Sequence, residues 1–416
     1  MRTATALAIA TALLLPGCGG DDDEPRAQPK PRAAQGTVTY CGEGYSEAER
    51  ASVTRFNQAH AGDGLRARFK RLPDDPLAAH DMLKDKLGHG CDVAELDTAW
   101  IGEFAARGSL LDLTDHVTPR EDEFVGATLD TGRWDDRYWA VPRRVDTGLL
   151  YYRTDVGAPP KTWQQVYAIA RRKHGVLYQA ADYESLTIHF LELAYAAGGS
   201  VLSDDGTSSV LDSPANLRTL EFMRAGLGQG AAPPSVLQMH EEETRQAFGA
   251  GKATFMRNWA YAYLLLDMSQ SSDVVGRFAA APLPAFGGRE PSGVIVGQSI
   301  AIANSTKNED AARALLDHLT GAQDIEQALS DFAAAPALKA GFEAPDIGSA
   351  LPHYAKLRSV LEVARPRPVT PVWGPISLTI SKHVHLALEH RETPRAALQA
   401  ADREITEILA AAPKPS

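Results

Sequence analysis

The sequence predicts an α/β fold built as two lobes, and three observations predict it. Strand-like and helix-like segments alternate from the start of the globular part, which implies a parallel sheet with helices packed on it. At 416 residues the chain is long enough for about two domains. Helix and strand patterns continue to the C-terminus with no internal repeat and without the eightfold regularity of a barrel.

The chain opens with Arg2, an apolar run from Ala4 to Leu15, small residues and Cys18. A run of about 12 residues is too short for the roughly 20 of a spanning helix, so an export signal is expected. Leu15, Pro16, Gly17 and Cys18 resemble the lipobox of bacterial lipoproteins, which implies a signal peptide over residues 1–18 and a lipid on Cys18. Residues 19–36 hold no aromatic or β-branched side chain and are crowded with charge, proline and glycine. Such a segment has little apolar surface to bury and is expected to be a disordered tether, reaching about 25 Å.

The globular part is expected over 37–416. "TVTYC" (37–41) alternates as a strand, and Ser46 with Glu49 has capping-box spacing for the helix that follows. "LRARFKRL" (65–72) is a second strand, Leu77 to Leu87 a helix, and "CDVAELD" a third strand ending at Asp97. In a parallel sheet, ligands gather at the carboxyl ends of the strands, so Glu43 and Asp97 are expected at one edge. Farther on, Thr162 and Gln165 form a second capping-box pattern, and "TIHFLELAYAAGG" reads as a buried helix stopped by Gly198 and Gly199. "VIVGQSIAIA" (294–303) reads as a strand pair or a bulged strand. The last helix has Thr393 as N-cap, Pro394 in the first turn, and Leu398, Ala401, Ile405 and Ile408 on one face.

A formal net charge of −11 and the lack of a basic patch with interleaved aromatics argue against nucleic acid as a partner. Of three cysteines, Cys18 is assigned to the leader. In an exported chain the remaining pair, Cys41 and Cys91, is expected to form a disulfide.

Five stretches carry a family resemblance: "CDVAELDTAWIGEFAARGSLLDLTDHV", "YWAVPRRVDTGLLYYRTDV", "YQAADYESLTIHFLELAYAAGG", "AFGAGKATFMRNWAYAY" and "ARPRPVTPVWGPISLTISKHVHLALEHRETPRAAL". In that order, over nearly the whole mature chain, they resemble extracellular solute-binding proteins of ABC sugar importers, family 1, of the trehalose/maltose-binding type. The resemblance implies a periplasmic-binding-protein-like fold: two lobes joined by a hinge, a ligand cleft between them, and delivery to an ABC permease. It places residues 37–145 with part of 260–350 in one lobe and the remainder in the other. A monomer on the outer face of the cytoplasmic membrane, held only by its lipid anchor, is expected, with no cofactor, metal or catalysis. The ligand-side residues it implies are Glu43, Asp97, Arg144, Asp146, Glu241, Trp259, Tyr261, Gly297, Gln298 and Arg367. Ala260 stands where the family usually has proline and Trp373 where it has tyrosine, so the identity of the sugar stays open.

These residue types suit a sugar. Its C–H faces stack on Trp259 and Tyr261, while its hydroxyl rim is satisfied by carboxylates, amides and arginine. Each residue also has a plainer role: core packing for Trp259, helix capping for Asp97, mutual pairing for Arg144 and Asp146, and a solvated helix face for Glu241. Tyr183 and Glu184 could line the cleft or simply pack. A secreted glycoside hydrolase using two of Asp97, Asp146 and Glu241 remains an alternative. So does the same fold carrying a polyamine, peptide or metal complex, although Arg144 and Arg367 would compete with a polyamine. Neither H-E-x-x-H nor G-x-S-x-G occurs, and "GAGKAT" lacks the upstream glycine of a P-loop. His383 and His385, two apart in a helix, point in different directions, and His189 with Glu192 reads as a structural pair.

Overall fold

The computed structural model describes residues 36–43, 46–268, 272–288, 292–324, 335–343 and 354–413. The expected leader, Cys18 and the tether up to residue 35 lie outside these residues.

The first elements follow the sequence pattern closely: β1 (Gly36–Gly42), α1 (Ser46–Ala59), β2 (Leu65–Arg71), α2 (Pro76–Lys86) and β3 (Val93–Asp97). Asp75 caps α2 by accepting from Ala78 N at 2.8 Å, and Pro76 takes the first position, where a missing N–H costs nothing. Glu49 does not serve the expected capping box of α1. Its carboxylate turns inward to Arg143, a fully buried guanidinium that needs an anion beside it.

After α3 (Ile101–Ala106) and α4 (Thr114–Val117), a short hairpin of β4 (Arg133–Trp134) and β5 (Arg137–Tyr138) leads into β6 (Val141–Asp146). The chain then enters a second body with β7 (Leu149–Arg153), α5 (Trp163–Ala170), β8 (Val176–Leu177), α6 (Glu184–Ala196), α7 (Pro214–Gly228), α8 (Glu241–Gly249), β9 (Phe255–Asn258), α9 (Ala262–Asp267) and β10 (Phe278–Pro282). It returns through β11 (Val294–Ile302), α10 (Glu309–Leu319), β12 (Ala335–Pro336), α11 (Lys339–Phe342), α12 (Tyr354–Leu361) and β13 (Arg365–Pro366), and ends with α13 (Trp373–Leu388) and α14 (Pro394–Ala410).

Two sheets anchor two α/β lobes. The larger has the order β12-β6-β11-β3-β1-β2 with β13 added to β11, and the smaller has the order β10-β7-β9-β8. Only part of the larger sheet is the parallel array expected from sequence. β1, β2 and β3 run parallel, but β11 is antiparallel to both β3 and β6. The returning segment comes back from the second lobe, so it enters the sheet from the opposite end. The chain leaves the larger sheet after Asp146 to enter the smaller one at Leu149, and after β10 it is next in the larger sheet at Val294.

Helix ends and faces explain the second lobe. Thr162 accepts from Gln165 N at 3.2 Å, but the Gln165 amide reaches Lys161 N at 2.9 Å rather than the cap residue itself. From Ser185 to Ala196 every residue of α6 is buried, so this is a core helix and not an amphipathic one. Thr393 caps α14 through Ala396 N at 3.2 Å, with Leu398, Ala401 and Ile405 buried and Ile408 only partly so. "VIVGQSIAIA" is one strand, β11, with a register irregularity after Gln298. Cys41 and Cys91 are joined across Cα atoms 5.6 Å apart. Closing a loop of 50 residues contributes about 4 kcal/mol in the chain-entropy account. Among the described residues no helix is long and apolar enough to cross a membrane.

Candidate functional site

Strand register brings the first group of residues together. Gln298 of β11 lies opposite Asp97 of β3 on one side and Arg144 of β6 on the other. Three residues distant in sequence therefore stand abreast. Gly297, with φ of 144°, makes this possible: a Cβ there would strike the Arg144 carbonyl. Its own carbonyl accepts from Thr98 N at 3.0 Å, holding the end of β3. The register skips Arg143 between Arg144 and Pro142, so the strand bulges, and two consecutive arginines approach one carboxylate. Arg144 pairs with Glu95, while Arg143 lies 4.0 Å from the same group.

Glu43 joins this edge, as its position past β1 predicts. Its backbone N–H donates to Glu95 Oε2 at 3.0 Å. Burial, reinforced by the charges of Glu95 and Asp97, pushes its carboxyl up to about 8. Arg144 itself is buried and committed to Glu95 rather than to Asp146, so the mutual pairing considered from sequence does not form.

A second group spans the lobes. Arg367, just past β13, donates from Nη2 to Asp97 Oδ1 and Thr98 Oγ1, both at 2.5 Å, and from Nη1 to Glu184 Oε1 at 2.8 Å. Asp97 belongs to the large sheet, and Glu184 opens α6 beside the small one. Trp373 Nε1 donates to the same Glu184 oxygen at 2.8 Å. Burial opposes the charge on Arg367, but the two carboxylates outweigh it and raise its pKa above the ordinary arginine value. Asp97 does not cap α3; its Oδ1 accepts from Ala99 N at 2.7 Å in a turn before the helix begins at Ile101. That turn fixes the carboxylate while leaving the side chain 29% exposed.

The third group surrounds Trp259. Its Nε1 donates to Glu241 Oε1 at 3.2 Å, and Glu241 also accepts from Ser185 Oγ and, at 2.9 Å, from the Tyr183 hydroxyl. Glu241 is thus no member of a free solvated face. Tyr183 packs against His240 with ring centres 4.4 Å apart and the planes tilted by 43°. Next to Trp259, the Ala260 N–H donates to Asp146 Oδ1 at 3.1 Å, and Thr147 N donates to the same oxygen at 2.7 Å. Burial raises the Asp146 carboxyl to about 7 against the pull of those two N–H groups. Tyr261 donates to Glu242 Oε1 at 3.2 Å. Because Tyr183 and Glu184 are consecutive, the Trp259 group and the Arg367 group are joined through the chain itself.

Sequence reasoning missed Glu95, Arg143 and Arg257, all fully buried. Charged residues inside strands signal that a partner must exist, but nothing local names it. A separate groove of about 820 Å³ lies between the β4–β5 turn, the 202–207 loop and residues 365–371, and Arg367 alone among the expected residues borders it. The aromatic and carboxylate groups do not converge there. His383 sits between Glu392 and Glu404 at 3.2 and 3.0 Å, while His385 faces the Ala180 carbonyl at 2.8 Å. No group of three or more His, Cys, Asp or Glu side chains is placed to hold a metal among the described residues.

Comparison with known proteins agrees on the architecture. The sequence profile of the bacterial extracellular solute-binding proteins matches residues 46–326. A probable ABC transporter-binding protein of Deinococcus radiodurans is 27% identical over 391 residues, spanning 88% of this chain and 91% of that one. Maltose-bound MalE3 of T. maritima superposes with a TM-score of 0.77 at 29% identity, covering 89% of this chain and 99% of that one. The sugar-binding protein MalE of Xanthomonas citri gives a TM-score of 0.81 at 23% identity, covering 90% and 98%.

Proposed function

The chain belongs to the bacterial extracellular solute-binding protein family, and from that premise we propose that it binds a sugar outside the cytoplasmic membrane and hands it unaltered to an ABC importer permease. The ligand is a disaccharide or short oligosaccharide of the trehalose or maltose type. The observation that carries this reading is Arg367, which ties Asp97 of one lobe to Glu184 of the other, next to an indole edged by Glu241. An aromatic ring with ionised groups around it, at the join of two hinged bodies, matches the two surfaces of a pyranose.

In this reading Trp259 and Tyr261 take the C–H faces. Asp97, Asp146, Glu241 and Gln298 accept from or donate to the hydroxyl rim, and Glu43, which keeps its proton at neutral pH, supplies a donor. Arg144 and Arg367 hold the carboxylates in place, and Gly297 lets the backbone come close. Hydrogen bonds to ionised groups contribute about 1.5–3 kcal/mol each, so a few are enough for micromolar affinity. Sugar held by one lobe gains contacts from the other only when the cleft shuts, and that difference in affinity shifts the population to the closed form. Lipidation of Cys18, export and a monomeric state complete the proposal.

A thermal-shift screen tests it, with trehalose, maltose, sucrose and longer glucosides set beside spermidine and peptides. Ligand at 100 times its dissociation constant should stabilise by about 2.7 kcal/mol. A shift with spermidine or peptide alone would reassign the cargo. Release of free monosaccharide would turn the reading into a hydrolase.

A further inference from the structure

Trp259 is only 9% exposed, and one face of its ring is covered by a cation. Arg257 lies two residues earlier, on β9, which ends at Asn258 just before the tryptophan. Its Cζ stands 3.9 Å from the centre of the indole. The guanidinium is fully buried. Its Nε donates to both oxygens of Glu192 at 3.0 and 3.2 Å, Nη2 donates to Glu192 Oε1, and Nη1 donates to Gln179 Oε1 at 3.1 Å. Glu192 is further held by His189 Nδ1 at 3.3 Å, and Gln179 Nε2 donates to Thr244 Oγ1 at 2.8 Å and to the Arg257 carbonyl at 3.2 Å. A planar fork fixed at all three nitrogens cannot turn, and a planar cation stacks on an aromatic face. Gly148 keeps the crossing strand clear of this pair, since a Cβ there would fall on Glu192 Oε1.

Each guanidinium nitrogen of this arginine already donates to a buried protein acceptor, and the whole side chain is closed off from solvent. Whatever it contributes must pass through the ring it touches. The indole edge is meanwhile set by Glu241 at 3.2 Å. We infer that Arg257 is a positioning residue, backed by Glu192 and Gln179, that covers one face of Trp259, fixes the plane of the ring, and leaves the opposite face as the one against which the sugar stacks. The inference rests on the sugar-binding reading. It adds that affinity depends on a preorganised, one-sided aromatic platform and not on Trp259 alone.

The test removes the buried charges together, as R257M/E192L, because replacing an ion pair by apolar groups of similar size commonly keeps the fold. Sugar affinity by calorimetry is expected to fall about tenfold. In protein labelled with fluorotryptophan, the fluorine resonance assigned to Trp259 by its loss in W259F is expected to broaden or split. Placed on a W259A background, the same pair of changes should alter affinity by less than about twofold. A full loss on that background, or an unchanged resonance with unchanged affinity, would overturn the inference. Should R257M/E192L fail to fold, R257K keeps the charge beside Glu192 without the planar fork and is expected to show the same two effects. If the unaltered chain binds no sugar, the functional reading fails, while the fluorine resonance still reports whether Arg257 holds the ring.

Discussion

Two arginine clusters lie close to the same strands and use the same chemistry to different ends. In the first, Arg143 donates to Glu49 at 2.7 and 2.8 Å and to Asp324 at 3.0 Å. The three side chains are 0, 0 and 2% exposed. In the second, Arg367 is equally hidden at 5%, but its partners Asp97 and Glu184 are 29 and 39% exposed. The carboxylates of the first cluster are sealed, and only the aliphatic and cationic flank of Arg55, paired with Asp324, reaches solvent. The second crosses between lobes and keeps its carboxylates in reach of a solute. Residue type does not separate the sealed cluster from the accessible one; the exposure of the anions and the number of sheets they join do.

Arg143→Met should show the sealed cluster as structural and give the largest effect. It strands the buried Glu49 carboxylate, while Asp324 keeps Arg55 and Ser52, and is expected to cost about 3 kcal/mol in urea unfolding, with sugar affinity of the folded fraction unchanged. A loss under about 1 kcal/mol would break the contrast. Arg367→Lys sharpens the other side. An ammonium keeps the charge but lacks the fork that spans Asp97 and Glu184, so affinity should drop about tenfold and ligand-free protein should scatter as a more open particle, with little change in stability. Equal affinity in the two proteins would remove Arg367 from the binding surface.

Asp146, at the crossing between the lobes, makes the comparison depend on pH. Its folded value of about 7 lies above the ordinary 3.8, so between those values the folded protein keeps a proton that the unfolded chain releases. Stability therefore falls as pH rises through that window and levels off above it. Asp146→Asn should lack this part of the slope, a difference read between parallel unfolding series taken across that window. Identical slopes would place the Asp146 carboxylate in contact with water.

Much of the scaffold was legible along the chain. The first three strands and two helices, the cap at Thr393 and the strand character of 294–303 were read from periodicity and capping residues, which are local properties. Glu43 and Asp97 were placed at one edge by the rule for parallel strands, although the rest of that sheet proved mixed. The charged partners were not legible. "PRRVD" presents two adjacent arginines with nothing to say that one serves Glu49 and Asp324 and the other Glu95, and "FMRNWAYAY" does not reveal that its arginine lies against its tryptophan.

By itself the sequence determined the order of elements, the chemical types available to a ligand and the cysteine pair. Only the tertiary structure decided which carboxylate each arginine meets, which face of Trp259 is covered and where the lobes are pinned. The reason is physical: periodicity and caps act over a few residues, whereas Arg143 finds Asp324 across 181 positions and Arg367 finds Asp97 across 270. Such partners are selected by the cost of leaving a buried charge alone, and that cost exists only once the chain has folded around it.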